Sequence, residues 1–170
     1  MSLILLTTGT QAPFDRLVRV VDRWAAKNPD VHIVGQIGRG NYRPRHIETK
    51  PFLNNREFRS LAHDCTLMLA HAGMGSVLSA LEYRKPLVMM PRDPQQGECN
   101  SDHQFGTARR MATLPGVYCA YNAAQLIHRL DHHRQLNAPE ALQQSQRQQE
   151  LSQFIAGFIG RQTQQTAPGG

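Results

Sequence analysis

The chain has 170 residues, 40% hydrophobic and 19% charged, with a formal net charge of +6. That length suits one domain with a substantial core and is short for two, and the composition is that of an ordinary globular protein. The positive balance comes from scattered arginines; it suits polyphosphate ligands, nucleic acid or an anionic membrane surface and does not choose among them.

Several further classes are excluded. Cys65, Cys99 and Cys119 lie far apart and form no CxxC pair, which argues against a zinc or thioredoxin-type site and reads as reduced thiols in a cytosolic protein. The opening "MSLILLTTGT" is too short for a signal peptide. No apolar run approaches the roughly eighteen residues needed to cross a bilayer, so a soluble, cytoplasmic chain is expected.

In chain order, "LILLT" (3–7) reads as a short buried strand that ends at Thr8-Gly9-Thr10. Pro13 stands where a first helical residue is often found, and Asp15 falls in the first turn. Leu17, Val18, Val21, Trp24 and Ala25 then recur at helical spacing to about Lys27. "NPD" breaks that helix and "VHIV" (31–34) reads as a second strand. "GQIGRGNYRPR" has the glycine and proline content of a loop, and "HIETKPF" has room for another strand. Asn54 followed by Glu57 is a capping-box pair that starts a helix running to about His63.

The second half repeats the alternation. "CTLMLA" is strand, "GSVLSALEYR" helix and "PLVMM" strand. The loop "PRDPQQGECNSD" precedes a helix from about Asp102 to Met111. "GVYCA" is a last short strand, with a helix after Asn122. Strands apolar throughout are buried on both faces, which predicts a parallel sheet covered by helices: a Rossmann-like, doubly wound α/β domain. From Arg134 the chain becomes glutamine-rich. Leu142, Leu151, Phe154, Ile155, Phe158 and Ile159 keep helical spacing, so the domain is expected to run over 1–160 with a terminal helix and a flexible tail at 161–170.

Ligands of open α/β sheets bind outside the carboxyl ends of the strands. Three loops with unusual composition fall there: Thr8-Gly9-Thr10-Gln11, His71-Ala72-Gly73-Met74-Gly75-Ser76, and Pro91 to Gln104. In the second, glycines allow a tight turn and close approach of a ligand. The helix start near Gly75 offers unpaired N–H groups and a positive dipole end. Ser76 adds a hydroxyl, and His71 can donate to an anion or orient a sugar hydroxyl. The loop is neither a dinucleotide fingerprint, because Leu78 stands where a third glycine would fall, nor a P-loop, because no Gly-Lys-Ser/Thr follows. A structural turn and a phosphate-type site both remain open on this pattern alone.

Other clusters say less. His128 and His132 are spaced i,i+4 beside Asp131 and His133, a spacing that can bind zinc, but no HExxH glutamate or nearby cysteine completes a set, so no metal is expected. The arginines are not interleaved with aromatic residues, which argues against nucleic acid.

Together, "LLTTGTQAPFDRLVRVVDRWA", "AHAGMGSVLSALEYRKPLVMMPR" and "NSDHQFGTARRM" resemble the nucleotide-sugar-binding subunit of two-subunit bacterial exopolysaccharide glycosyltransferases. That group is similar to the C-terminal half of the peptidoglycan N-acetylglucosaminyltransferase and to the catalytic subunit of the dolichol-linked N-acetylglucosamine transferase. The resemblance covers roughly residues 1–120. It implies one half of a GT-B architecture, the C-terminal Rossmann-like domain that binds a UDP-sugar without a cofactor. By position, Thr8, Gly9, Thr10 and Gln11 match the loop beside the nucleotide. Leu53 of "PFL" matches the backbone contact to uracil. Gly73, Met74, Gly75 and Ser76 match the diphosphate loop, and His103 and Gln104 match the pair that reads the sugar hydroxyls. An acidic ribose contact in the wider family falls at Ser79 here, a shorter and uncharged partner, so ribose recognition rests on Ser79 or moves to Glu82 or Glu98.

The implied reaction inverts the anomeric centre as an acceptor hydroxyl of a lipid-linked saccharide displaces UDP. The general base is expected on a membrane-associated partner subunit, with His71 the in-chain candidate, and the chain is expected at the inner membrane through that partner. The competing readings are a non-catalytic nucleotide-binding activator of another glycosyltransferase and a hydrolase of small phosphorylated compounds. The second lacks an evident nucleophile or metal cluster.

Overall fold

The computed structural model describes residues 2–10, 12–100 and 103–139. Chain contacts close a compact unit over Met1–Pro139. The expected terminal helix and tail, Gln11, Ser101 and Asp102 lie outside the described residues.

Strands and helices alternate along the chain: β1 (Ser2–Thr7), α1 (Asp15–Ala25), β2 (Val31–Gln36), β3 (Glu48–Lys50), α2 (Asn55–Asp64), β4 (Leu67–His71), α3 (Met74–Tyr83), β5 (Leu87–Met90), α4 (His103–Met111), β6 (Val117–Cys119) and α5 (Ala123–Asp131). The strands form one sheet in the order β3-β2-β1-β4-β5-β6, and every pairing is parallel. This is the Rossmann order, in which the direction of winding reverses between β1 and β4.

Burial on both faces follows from the strand composition. Ile4, Leu6, Leu67, Leu69, Val88 and Met90 point to one face and join Leu17, Val18, Val21 and Trp24 of α1 with Leu126 and Leu130 of α5. The alternate residues Leu5, Met68, Ala70, Leu87 and Met89 are also fully buried, as are Ala62 of α2 and Val77 and Ala80 of α3. Because side chains alternate along a strand, a sheet buried on both sides needs unbroken apolar runs rather than an in-out pattern.

The boundaries differ from expectation where pairing or capping overrides local pattern. β2 runs two residues past Val34, because Gly35 and Gln36 pair with Leu6 and Thr7 on one side and with Thr49 and Lys50 on the other. α1 begins at Asp15 with Phe14 as its cap, so Pro13 precedes the helix instead of opening it. Phe14 is 1% exposed, and burying it sets where the helix enters the core. The capping box of α2 forms as read: Asn54 Oδ1 accepts from the Glu57 amide at 3.0 Å, and Glu57 Oε2 accepts from the Asn54 amide at 3.0 Å.

Candidate nucleotide-sugar site

The carboxyl ends of β1 and β4 lie side by side, with Thr7 in register with Ala70. The loops that follow them open a cleft of about 640 Å³ at the point where the winding reverses. Thr8, Gly9, Thr10, His71, Gly73, Met74, Gly75, Ser76, Ser79 and Gln104 all line it, as do Glu98 and Arg92. Residues from all three loops singled out in the sequence therefore meet in one cavity.

His71 sits where β4 ends, and its ring fills the space between two glycines. A Cβ on Gly9 would stand 2.7 Å from the His71 ring, and one on Gly73 would collide with its Nε2. Gly9 also has φ +80, a left-handed conformation that suits glycine. Both glycines are thus required by the imidazole, a protein-internal reason that the pattern alone did not show. Gly75 is different: a Cβ there meets nothing within 4 Å, and the residue is exposed at the start of α3.

That helix start is open. Gly73 caps α3 without any side-chain hydrogen bond, while its carbonyl accepts from the Ser76 and Val77 amides. The Met74 and Gly75 amides precede the first intrahelical bonds, so the positive end of the helix faces the cleft. His71 Nδ1 is buried without a hydrogen-bond partner. Burial holds its pKa below the ordinary histidine value; the nearby Arg92 guanidinium adds to the shift and a backbone interaction with Thr7 opposes it. At neutral pH the ring is uncharged.

Sequence reasoning missed the structural weight of Arg92, which stood among the scattered arginines. Arg92 is 4% exposed. Its guanidinium donates to the carbonyls of Thr8 and Ala12, both at 2.6 Å, and to that of Pro13. It also lies over the Phe14 ring, 4.9 Å from the centroid. Gln36 and Phe58, which the sequence did not single out, line the cleft as well. A polar residue closing an apolar strand was the available signal for Gln36, as it was for His71.

The remaining candidates are placed as follows. Leu53 is 3% exposed, does not line the cleft, and its amide donates to Gln36 Oε1 at 2.9 Å. His103 is exposed at the start of α4 and also stands outside the lining. Gln104 Oε1 accepts from the Arg92 amide at 3.0 Å, which leaves the Gln104 –NH2 as its donor end. Ser79 faces the cleft one turn into α3, whereas Glu82 does not line it. Glu98 lines it, but both carboxylate oxygens are held by Arg16 at 2.8 and 2.7 Å, and Oε2 also accepts from the Asp93 amide. Away from the cleft, the rings of His128 and His132 are 4.5 Å apart. Among the described residues no group of three or more His, Cys, Asp or Glu side chains is placed to hold a metal.

An open helix end, a neutral buried histidine and a cationic floor are arranged to receive an anion that also carries neutral hydrogen-bonding groups. Comparisons with known proteins point the same way. Residues 3–160 match the glycosyltransferase family 28 C-terminal domain. The UDP-N-acetylglucosamine transferase subunit ALG13 of Mus musculus is 34% identical over 121 residues, 65% of this chain and 10% of that protein. The chain thus spans about a tenth of the length of that curated relative. The solution structure of ALG13 superposes with a TM-score of 0.60 at 18% identity, covering 83% of this chain and 90% of that one. The crystal structure of Acinetobacter baumannii MurG gives 0.55 at 17% identity, covering 80% of this chain and 43% of MurG. At these identities the superpositions establish a shared fold, that of the C-terminal half of a GT-B glycosyltransferase. The match over nearly the whole chain establishes more: the protein belongs to the glycosyltransferase family 28 C-terminal domain family.

Proposed function

We propose that this chain is the donor-binding part of an inverting glycosyltransferase that moves a sugar from a UDP-sugar to a lipid-linked saccharide in exopolysaccharide or capsule synthesis. The observation that carries the reading is the cleft at the winding reversal, where the uncapped start of α3 faces three converging loops. The UDP-N-acetylglucosamine transferase subunit named above supports the donor class. In this reading the diphosphate takes the Met74 and Gly75 amides and the Ser76 hydroxyl, and the Gln104 –NH2 meets the sugar. Ser79 lies one turn further for the ribose. As the C1–O bond to the diphosphate breaks, charge grows on the leaving oxygens. The fixed N–H dipoles of α3 stabilise it with no reorganisation.

The acceptor hydroxyl must lose a proton to a base within hydrogen-bond reach. Glu98 is the one carboxylate in the cleft lining among the described residues, and Arg16 holds it. His71 is wedged between Gly9 and Gly73. We assign the base and the lipid-acceptor site to a membrane-associated partner subunit, and with it a peripheral position for the chain at the cytoplasmic side of the inner membrane. Calorimetric titration with UDP, ADP and a panel of UDP-sugars tests the donor reading, with Gly75→Val beside the wild type. A Cβ at Gly75 meets no protein atom within 4 Å, so the valine is expected to leave the fold intact and to block the diphosphate. Uridine-selective binding that weakens at least about tenfold in the variant, with unchanged melting, is expected. Equal binding of ADP, or an unaffected valine variant, would remove the reading.

A further inference from the structure

The loops that wall the cleft are held together by a brace whose two arginines stand within the quoted motifs but were given no role by them. Arg92 begins the β5–α4 connection, and its guanidinium grips three carbonyls of the β1–α1 connection, those of Thr8, Ala12 and Pro13. Its own amide fixes Gln104 through Oε1. From the opposite direction Arg16 of α1 donates to the Pro91 carbonyl at 3.0 Å and grips both Glu98 oxygens. Each connection thus sends an arginine into the other. The Arg16–Glu98 pair keeps only 18% and 11% of its side-chain surface exposed, which shields it from screening by salt. Glu98 Oε2 also takes the Asp93 amide, closing the turn that carries the β5–α4 connection toward α4.

The chemistry of the two arginines differs. Arg16 has an acidic partner, whereas Arg92 spends its donors on neutral carbonyls and forms no ion pair among the described residues. Burial lowers the Arg92 pKa, but an arginine stays protonated in proteins, and Glu98 nearby opposes the shift. Three carbonyls converging on one guanidinium also match its planar fork, which a lysine ammonium cannot reproduce. Thr8, Gly9, Thr10 and Ala12 of the loop that Arg92 holds line the cavity.

We propose that Arg92 is the positioning residue of this cleft: by holding the Thr8–Pro13 loop and the Gln104 carboxamide at once, it sets the affinity for a nucleoside-diphosphate donor. The Arg16–Glu98 pair is the second half of the same brace. This rests on the donor-binding reading above, so its test needs a readout that is independent of the donor.

Arg92→Met keeps an unbranched apolar stem and removes the fork, Arg92→Lys keeps the charge without the fork, and Glu98→Gln weakens the second half. Affinity for UDP is measured by calorimetry well below each variant's melting temperature. Beside it, amide hydrogen exchange at Gly9 and Thr10 and the NMR titration of the His71 imidazole are followed without ligand. Positioning predicts a loss of about tenfold or more in affinity for Arg92→Met, with partial rescue by Lys. It also predicts faster exchange at Gly9 and Thr10, and a His71 titration that moves up once the neighbouring cation is gone. A purely structural arginine would lower the melting temperature and leave affinity and exchange unchanged, which overturns the proposal. If Arg92→Met does not fold, Glu98→Gln decides: exchange in the Thr8–Thr10 segment indistinguishable from wild type overturns the brace. If the wild type binds no uridine nucleotide while exchange and titration respond as stated, the brace stands and the donor reading falls.

Discussion

His71 explains two of the glycines around it. The imidazole occupies the room that a side chain at Gly9 or Gly73 would need, so Gly73→Ala should cost about 1–3 kcal/mol through forced repacking. Denaturant unfolding of Gly73→Ala, His71→Ala and the double variant checks this. The double variant should lose much less stability than the two single losses added, because the clash needs both groups. The depressed His71 pKa gives a second expectation. In the folded protein the ring resists protonation, while in the unfolded chain it titrates near the ordinary value of 6.5. The unfolded state therefore binds more protons as pH falls through that value, and stability declines until the folded ring also protonates. Urea unfolding at pH 7.5 and 5.5 should show a larger loss in wild type than in His71→Gln.

At the scale of elements, the sheet is assembled by strand ends and helix caps as much as by apolar runs. Asp22 of α1 illustrates how a loop is tied down. Its Oδ1 accepts from the Arg45 and His46 amides at 2.9 and 2.7 Å, and its Oδ2 from the Tyr42 hydroxyl at 2.8 Å. Burial alone would raise its pKa, but these hydrogen bonds outweigh it and hold the carboxyl below its ordinary range. The connection from β2 to β3 is thereby pinned along α1 rather than left as the free loop its glycines suggest. α3 ends on Arg84, whose φ of 52 places a non-glycine residue in the left-handed region. Glycine takes that position without strain, so Arg84→Gly should stabilise by up to about 1 kcal/mol, read as a higher melting temperature.

Across the whole molecule, parallel pairing collects every strand's carboxyl end on one edge, and the reversal between β1 and β4 opens a gap there. The cleft is the consequence, and it gathers an uncapped helix start, a buried cation and polar side chains, with no free carboxylate in its lining among the described residues. In the proposed reading that inventory holds the donor, and proton removal falls to another surface. Transfer should therefore be absent with the isolated chain and appear when the acceptor-binding partner is co-expressed, assayed by radiolabelled sugar entering the lipid fraction. Transfer by the purified chain alone would place the base within it.

What the sequence determined by itself was the alternation of strands and helices, the doubly covered parallel sheet, and the three loops at its carboxyl edge. Unbroken apolar runs, a capping box and glycines at strand ends are local signals, and each acts within a few residues of where it is read. The extension of β2 was not legible, because Gly35 and Gln36 are strand only through their neighbours on both sides. The tertiary structure alone decided that Arg92 would be buried beneath the cleft and Glu98 committed to Arg16. It alone placed Leu53 and His103 outside the lining and Gln36 and Phe58 within it. Arg92 meets the Thr8 carbonyl across a separation of 84 residues, and Arg16 meets Glu98 across 82. No periodicity or composition encodes such a meeting; it exists only because parallel strands bring distant loops to the same edge.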